Sequence, residues 1–279
     1  MQSSPYTESD PLLTTSALKA DFERIGLRPG QTVMMHSAMG AFKGYIVGGP
    51  VAVIDALMQV LSPEGTLVMP AHTSDNSDPA LWKNPPVPEA WWETIRAEWP
   101  PFRPEITPTR KMGIIAECFR KYPAVLRSNH PSSSFSAWGK NAAYVTADQP
   151  LNNFFGENSP LDRVYALDGY VLLLGVGHGN NTSLHRAEYR AQWVGKAPEI
   201  NSSAMLQAGK RVRVTYSDDS VSDADFPAIG AAYEAETSAV TIDHIADAPV
   251  RFMRQRPLID FAVQWMNAHR PGSIAQEPL

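Results

Sequence analysis

The side chains in this chain best suited to proton transfer are a histidine and a glutamate three residues apart, His185 and Glu188. On a helix, residues at this spacing lie on one face and can contact each other. An imidazole titrates near neutral pH, and a neighbouring carboxylate can orient the ring and hold its proton. We predict His185 as a general base assisted by Glu188. This segment alone leaves a surface ion pair at a helix N-terminus as the alternative.

The stretch of chain before this pair indicates a ligand site. Residues 170–177 read YVLLLGVG, an apolar run that predicts a buried strand leaving a sheet at its glycines. A helix starting at Asn180 or Asn181 would then carry His185. Open α/β sheets bind ligands where strands end and helices begin, so we expect His185 at such an edge.

Two further predicted strands also end in polar side chains. The run TVMM leads to His36 and Ser37, and the run GTLVMP leads to His72 and Thr73. If these strands are parallel neighbours of the third, all three ends meet at one edge of the sheet. That edge is the predicted rim of an active site.

A glycine-containing loop ends at Gly48 and Gly49 and opens into a helix predicted over residues 51–61, with Pro50 as its first residue. The free N–H groups of a helix N-terminus favour an anion such as phosphate. The spacing matches neither a P-loop nor GxGxxG, which argues against a nucleoside triphosphate or a dinucleotide. Arg110 and its neighbours, before a helix predicted at 112–119, give a similar weak signal.

The remaining periodicity predicts the scaffold. Residues 14–25 and 259–267 have helical spacing, alternation from Lys210 predicts antiparallel strands, and the tryptophan-rich segment 74–108 predicts a long ordered loop. We expect an α/β fold in which helices flank a central mixed, largely parallel sheet, with a smaller antiparallel β region toward the C-terminus. We expect one domain over 1–279, with a disordered tail at about 272–279.

Composition narrows the class of protein. A net charge of -5 over 279 residues argues against nucleic acid as the main partner, because phosphate binding needs a basic face. The single cysteine, Cys118, excludes an internal disulfide. The N-terminus QSSPYTESD is not a signal sequence, and no run approaches the apolar length of a membrane span. We expect a cytoplasmic protein that contacts neither membrane nor nucleic acid.

A metal centre is the rival use of the histidines. The pair at 185 and 188 lacks the two-histidine spacing of HExxH, and no CxxC or HxH element occurs. We therefore predict no metal ligand and no metal cofactor.

Four segments together give a family resemblance over about residues 14–269. They are MHSAMGAFKGYIVGGPVAVIDAL, LVMPAHTSD, RKMGIIAECFRKYPAVLRSNHPSSSFSAWG and SPLDRVYALDGYVLLLGVGHGNNTSLHRAEYRA. In order and length they resemble the aminoglycoside 3-N-acetyltransferases, which differ in fold from the GNAT acetyltransferases. The resemblance implies transfer of an acetyl group from acetyl-CoA to the 3-amino group of a 2-deoxystreptamine ring, as in antibiotic resistance.

The resemblance also implies roles for individual residues. His185 is the implied base, Glu188 assists it or binds substrate amines, Thr73 lies near the reacting thioester, and Asp75 meets the polycationic antibiotic. The implied coenzyme A groove is lined by His36, Ser37, Gly48, Gly49, Thr109, Arg110, Met112 and Gly113.

Two positions depart from the family pattern. Ala38 stands where a second serine is common, which removes a hydrogen bond typically worth about 1 kcal/mol. Gly179 stands where an aspartate is common, which removes one carboxylate near the base. Both departures put the range of substrates in question more than the reaction.

We expect direct transfer in a ternary complex, because Cys118 lies inside a predicted helix and no acyl nucleophile is paired with His185. Three alternatives stay open: the same transfer onto a different small-molecule amine, a histidine-based metal hydrolase, and a silent homologue that only binds. The sequence leaves the oligomeric state open as well, with a homodimer among the options.

Overall fold

The computed structural model describes residues 6–83 and 85–271. The tail predicted at about 272–279 lies outside this part of the chain. The strands are Leu12–Leu13 (β1), Thr32–Ser37 (β2), Tyr45–Ile46 (β3), Thr66–Pro70 (β4), Leu126–Arg127 (β5), Phe135–Gly139 (β6), Tyr170–Leu174 (β7), Pro198–Gln207 (β8), Lys210–Asp219 (β9), Val240–Ile245 (β10) and Ala248–Arg254 (β11).

The α-helices follow the predicted apolar periodicities and add several short ones. They are Thr15–Arg24 (α1), Pro50–Leu61 (α2), Trp92–Glu98 (α3), Gly113–Phe119 (α4), Ala142–Thr146 (α5), Pro160–Ala166 (α6), His185–Arg190 (α7), Phe226–Glu236 (α8) and Gln255–His269 (α9). Thr14 caps α1 by accepting a hydrogen bond from the Ala17 amide, and Pro50 begins α2 as predicted.

A mixed sheet forms the centre of the fold, in the order β10-β11-β7-β2-β4-β6-β5. Within this sheet, as far as the structure describes the chain, only the three central strands, β7, β2 and β4, pair in parallel, and the strands on both sides of them are antiparallel. The antiparallel region predicted from Lys210 is a separate hairpin of β8 and β9. The mixed α/β architecture with a small antiparallel sheet is therefore confirmed. Within the large sheet, parallel pairing is confined to the middle, and β1 and β3 form a separate parallel pair.

Helices cover both faces of this sheet, which explains why its central strands are apolar on both sides. Val33 and Met35 of β2 pack into a cluster with α1, α2 and α4, whereas the intervening Met34 packs with α5 and α6 on the opposite face. Val171 and Leu173 of β7 pack on that second face against α7, α8 and α9. The carboxyl ends of β7, β2 and β4 emerge together between the two helical layers.

The segment between β7 and α7 differs from the predicted single helix. Two 3₁₀ turns, His178–Asn180 and Thr182–Leu184, precede α7, which begins at His185 itself. Asn181 between them has ψ of +84°, outside the helical region, so a continuous helix from Asn180 or Asn181 cannot form. The prediction of that helix start was wrong, although His185 and Glu188 still share one helix.

Candidate active site

His185 and Glu188 are in direct contact. His185 Nδ1 lies 2.5 Å from Glu188 Oε2, and the His185 side chain keeps 15% of its surface exposed. A carboxylate oxygen accepts hydrogen bonds, so Nδ1 carries the ring hydrogen and Nε2 carries the free lone pair. This tautomer presents Nε2 as the atom that can take a proton.

Glu188 itself is buried, with 1% of its surface exposed. Its second oxygen, Oε1, accepts hydrogen bonds from Arg270 Nη1 at 2.8 Å and from the Ser222 amide at 3.0 Å. Both carboxylate oxygens therefore have protein partners. Glu188 lines neither of the two cavities described below.

Two aromatic rings fix the plane of the imidazole. Phe155 stacks on His185 with ring centroids 5.0 Å apart and an angle of 8° between the planes. Phe226, the first residue of α8, contacts the ring edge-on at 4.8 Å. Together with the bond to Glu188, these contacts restrict rotation of the ring.

Two further histidines, the buried His36 and the partly buried His72, lie close to His185. Burial, with a smaller contribution from the charge of His185, lowers the pKa of His36 to about 3. The same two causes, in the same order, lower the pKa of His72 to about 3. Both rings thus stay neutral where a second cation would repel a protonated His185. His72 Nδ1 donates to the Ser134 carbonyl at 3.1 Å, a bond that fixes its tautomer.

Two adjoining cavities open at the carboxyl ends of the parallel strands. The larger has a volume of about 720 Å³ and is lined by His185, His72 and the aromatic pair Phe155 and Phe226, among others. The smaller, of about 440 Å³, is lined by residues at the end of β2 and the start of α4. Four residues line both cavities: Lys111, Met112, Asn180 and Thr182. The base candidate His185 thus lines the larger cavity, which adjoins the smaller one.

Charged groups of both signs line the larger cavity. Its carboxylates are Asp75, Glu199 and Asp223, and its cations are Lys83, Arg110 and Lys111. Asp75 lies on the loop after β4, and Glu199 belongs to the β8–β9 hairpin. The hairpin therefore completes a wall of the chamber.

The structure brings together only part of the residue set that the sequence suggested. His36, Ser37, Met112 and Gly113 line the smaller cavity, and Arg110 and Asp75 line the larger. His185 lines the larger cavity as well. Besides Glu188, four predicted residues line neither cavity: Thr73, Thr109, Gly48 and Gly49.

Structural contacts account for these four residues. Thr73 is 1% exposed and donates its hydroxyl hydrogen to the Pro131 carbonyl at 2.6 Å. Thr109 donates both its amide and its hydroxyl hydrogen to Glu117, each at 2.9 Å. Gly48 and Gly49 have φ of +89° and +58°, so they make the left-handed turn that enters α2.

Ala38 and Gly179, the two departures from the family pattern, line the smaller and the larger cavity respectively. Sequence reasoning missed Glu199, Asp223, Phe155 and Arg270. No local spacing marks these residues, because each reaches the site from a different element. Residue type was the one signal available: the two carboxylates suit a cationic substrate, whereas Phe155 and Arg270 resemble ordinary structural residues.

The site thus consists of a histidine–glutamate pair beside two adjoining cavities, at the carboxyl ends of the parallel strands of a mixed α/β sheet. The family model described as aminoglycoside 3-N-acetyltransferase matches residues 34–267. The chain therefore belongs to the aminoglycoside 3-N-acetyltransferase family, and it is an acetyltransferase.

Individual relatives agree with this assignment. The SPbeta prophage-derived aminoglycoside N(3')-acetyltransferase-like protein YokD of Bacillus subtilis is 41% identical over 90% of this chain and 92% of its own. The aminoglycoside N(3)-acetyltransferase III of Pseudomonas aeruginosa is 34% identical over 88% of this chain and 91% of its own. The sequence prediction of the family is confirmed.

Solved structures share the whole fold. The crystal structure of YokD matches with a TM-score of 0.88 over 92% of this chain and 94% of its own, at 39% identity. AAC-IIIb in a binary complex with CoASH matches at 0.84 with 26% identity, over 96% of this chain and 100% of its own. AAC-VIa bound to sisomicin matches at 0.82 with 28% identity, over 92% of this chain and 98% of its own.

Among the described residues, none of the helices is long and apolar enough to cross a membrane. In the same part of the chain, the acidic, histidine and cysteine side chains form no group of three or more arranged to hold a metal ion.

Proposed function

We propose that this enzyme transfers an acetyl group from acetyl-CoA directly to the 3-amino group of 2-deoxystreptamine aminoglycosides, with His185 as the general base. The observation that carries the proposal is the His185–Glu188 pair, whose bond of 2.5 Å leaves Nε2 as a proton acceptor in the larger cavity. We propose that the cavities belong to one catalytic domain over residues 1–279.

We assign the smaller cavity and its border to the acyl donor. A family member with a TM-score of 0.84 is solved with CoASH, which supports coenzyme A as the donor here. His36, Ser37 and Gly113 would line the part nearest the thioester, and Arg110 and Lys111 would attract phosphates. Gly48, Gly49 and Thr109 would support this groove from behind, through α2 and the segment before α4.

We assign the larger cavity to the acceptor. Its three carboxylates suit a polycation, and a family member is solved with the aminoglycoside sisomicin. Carboxylates close to an ammonium group also hold it protonated. A base directed at the one reacting amine is therefore needed, and His185 meets that need.

The proton balance of the step is simple. His185 Nε2 takes a proton from the acceptor ammonium, and the freed amine nitrogen attacks the thioester carbonyl. The C–N bond forms, the C–S bond breaks, and the departing thiolate gains a proton as the imidazole returns to its neutral form. The nitrogen releases its second proton to water as the neutral amide forms, so each turnover releases one proton. General base catalysis of this kind contributes about 100- to 10,000-fold, and holding both reactants together contributes further.

Within this mechanism we assign Glu188 to holding the Nδ1–H tautomer. Its burial and its bonds to Arg270 and Ser222 leave it no surface for a substrate amine. We assign Thr73 to the scaffold beside the reacting centre, because its hydroxyl hydrogen is donated to Pro131. Asp75 is the acceptor-binding carboxylate on the loop after β4.

Acetyl transfer measured by thiol release tests the proposal. Purified enzyme is given acetyl-CoA with a panel of aminoglycosides and unrelated amines, and product regiochemistry is read by NMR. We expect acetylation at the 3-amino group and a fall of about 100- to 10,000-fold in kcat for His185→Ala. His244→Ala, at an exposed histidine on β10, is the matched control and should keep full activity.

Two results would contradict the proposal. If His185→Ala keeps full turnover while circular dichroism shows an intact fold, then His185 is not the general base. If unrelated amines are acetylated and no aminoglycoside is, the acceptor is a different amine.

A further inference from the structure

Arg270, directly after α9, reaches the underside of the catalytic pair. Its side chain is 9% exposed, and Nη1 donates to Glu188 Oε1 at 2.8 Å. Its Nε and Nη2 donate to the two oxygens of Asp225 at 2.8 and 2.9 Å. The guanidinium also lies over the Trp193 ring, 4.5 Å from the centroid. These contacts fix both the position and the plane of the guanidinium group.

The carboxylate of Glu188 depends on this contact more than on its others. A buried carboxylate is costly unless it is paired and hydrogen-bonded. Within residues 6–83 and 85–271, Arg270 is the only arginine or lysine bonded to the Glu188 carboxylate. Lys196 donates to the backbone carbonyl of Glu188, not to its side chain. The Ser222 amide adds a neutral donor to the same oxygen, Oε1.

We propose that Arg270 is a positioning residue for catalysis: it holds one oxygen of Glu188 so that the other meets His185 Nδ1 and keeps Nε2 free. The C-terminal helix α9 is thereby tied to the base that α7 carries. This inference rests on the proposed role of His185 as the general base.

A neighbouring arginine separates this role from ordinary helix packing. Arg190 on α7 donates to Asp260 on α9 at 2.6 Å, so it joins the same two helices. It makes no contact with the Glu188 carboxylate. Arg190→Gln is therefore the matched control for Arg270→Gln.

The charge of Arg270 should also affect the pH profile. The titratable and charged groups around the pair come from several elements. Glu188 bonds to His185, His36 on β2 and His72 after β4 interact with its charge, and Asp223 lines the same cavity. Arg270 bonds to Glu188 and pairs with Asp225 on its other side. Removing the cation leaves the carboxylate charge to act on the imidazolium alone. We expect the acid limb of kcat against pH to move to higher pH in Arg270→Gln.

Kinetics of four variants test the proposal. Arg270→Gln should lower kcat by about 10- to 100-fold, as loss of a partner that orients a functional group commonly does, with KM for both substrates nearly unchanged. Arg270→Lys should recover part of the turnover, since it keeps the charge but lacks the fork. The double variant Glu188→Gln with Arg270→Gln should be no slower than Glu188→Gln alone, because Arg270 acts through Glu188.

A substrate-free measurement keeps this test separate from the proposed function. In protein labelled with ¹⁵N-histidine, the His185 Nδ1–H···Glu188 proton should give a downfield resonance, assigned by its loss in His185→Phe. It should shift or vanish in Arg270→Gln and persist in Arg190→Gln. If no aminoglycoside is acetylated but the resonance responds in this way, the positioning role stands and the assigned reaction fails.

The proposal is overturned if Arg270→Gln keeps the wild-type resonance and turnover. It is equally overturned if the losses of the two single variants multiply in the double variant. Should Arg270→Gln not fold, Arg270→Lys carries the same comparisons, with a smaller fall in kcat of about 3- to 10-fold as the expected result.

Discussion

At the scale of single residues, the site separates orientation from binding. Glu188 is buried with both oxygens bonded, whereas Asp75 lines the larger cavity. Among the described residues, no side chain forms an ion pair with Asp75. The two carboxylates should therefore affect different kinetic constants.

Glu188→Gln should lower kcat by about 100- to 10,000-fold with little change in KM for the aminoglycoside. A glutamine amide can donate to Nδ1, which would favour the tautomer with its hydrogen on Nε2 and remove the base. Asp75→Asn should instead raise KM by about tenfold, roughly the effect of losing 1.4 kcal/mol of binding, and leave kcat nearly unchanged. Steady-state kinetics of the two variants, side by side, measure this. A changed KM with unchanged turnover in Glu188→Gln would assign it to substrate contact instead.

At the scale of elements, α8 holds the turn that forms part of the cavity wall. His178 Nε2 lies 3.0 Å from Glu234 Oε1 on α8, and Gly230 faces the ring of His178. A Cβ atom at Gly230 would lie 2.0 Å from His178 Cγ. The 3₁₀ turn His178–Asn180, which contributes Asn180 to both cavities, is thus pressed directly onto the helix.

Gly230→Ala should destabilise the protein by about 1–3 kcal/mol, the usual cost of overpacking a tight core. That cost outweighs the gain of about 1 kcal/mol that alanine brings to a helix. Displacement of the turn should also lower kcat/KM. Urea unfolding and steady-state kinetics measure the two effects.

Gly177→Ala is the control for this prediction. Its Cβ would meet no atom within 4 Å, and its φ of -102° suits any residue. We expect its stability to remain within about 0.5 kcal/mol of the parent. Equal stability of Gly230→Ala and the parent would show that the helix and the turn can separate without cost.

Element by element, predictions from the sequence were correct where periodicity was strong. The helix predicted at 51–61 is α2, and the alternation from Lys210 is β9. Strands β10 and β11 and the two-residue strand β5 were not predicted, because short or half-exposed strands depend on their partners for stability. The helix start before His185 was misplaced because Asn181 breaks the helical path.

At the scale of the whole molecule, three buried or partly buried histidines couple folding to pH. Burial is the main cause that lowers the pKa of His36 and His72 to about 3 and that of His130 to about 4. At pH values below the ordinary histidine pKa of 6.5, these rings bind protons in the unfolded chain but not in the folded protein. Stability should therefore be full above about pH 6.5 and decline as pH falls toward 4.

Urea unfolding at pH 7.5 and pH 5 measures this linkage. Each ring should lower the free energy of unfolding by about 2 kcal/mol over that interval, or about 6 kcal/mol for three. His72→Phe, which keeps an aromatic ring beside Phe135 and Phe155, should reduce the difference by about one third. His244→Asn, at an exposed site, should leave it unchanged. Equal stability of the parent protein at the two pH values would contradict the linkage.

The family, the mixed α/β class and the base candidate with its acidic neighbour could all be predicted from the sequence. These follow from local order: a spacing of three residues on a helix, apolar strands that end in polar residues, and long segments in a recognisable order. Such signals survive in one dimension because they depend on neighbours along the chain.

The side chains that surround the base could be identified only from the folded structure. Arg270 lies 82 positions along the chain from Glu188, and Phe155 and Glu199 come from a loop and a hairpin with no shared pattern. The same holds for Thr73, whose hydroxyl donates its hydrogen to a backbone carbonyl. Burial, pairing and cavity shape arise when distant segments pack together, so no spacing along the chain encodes them.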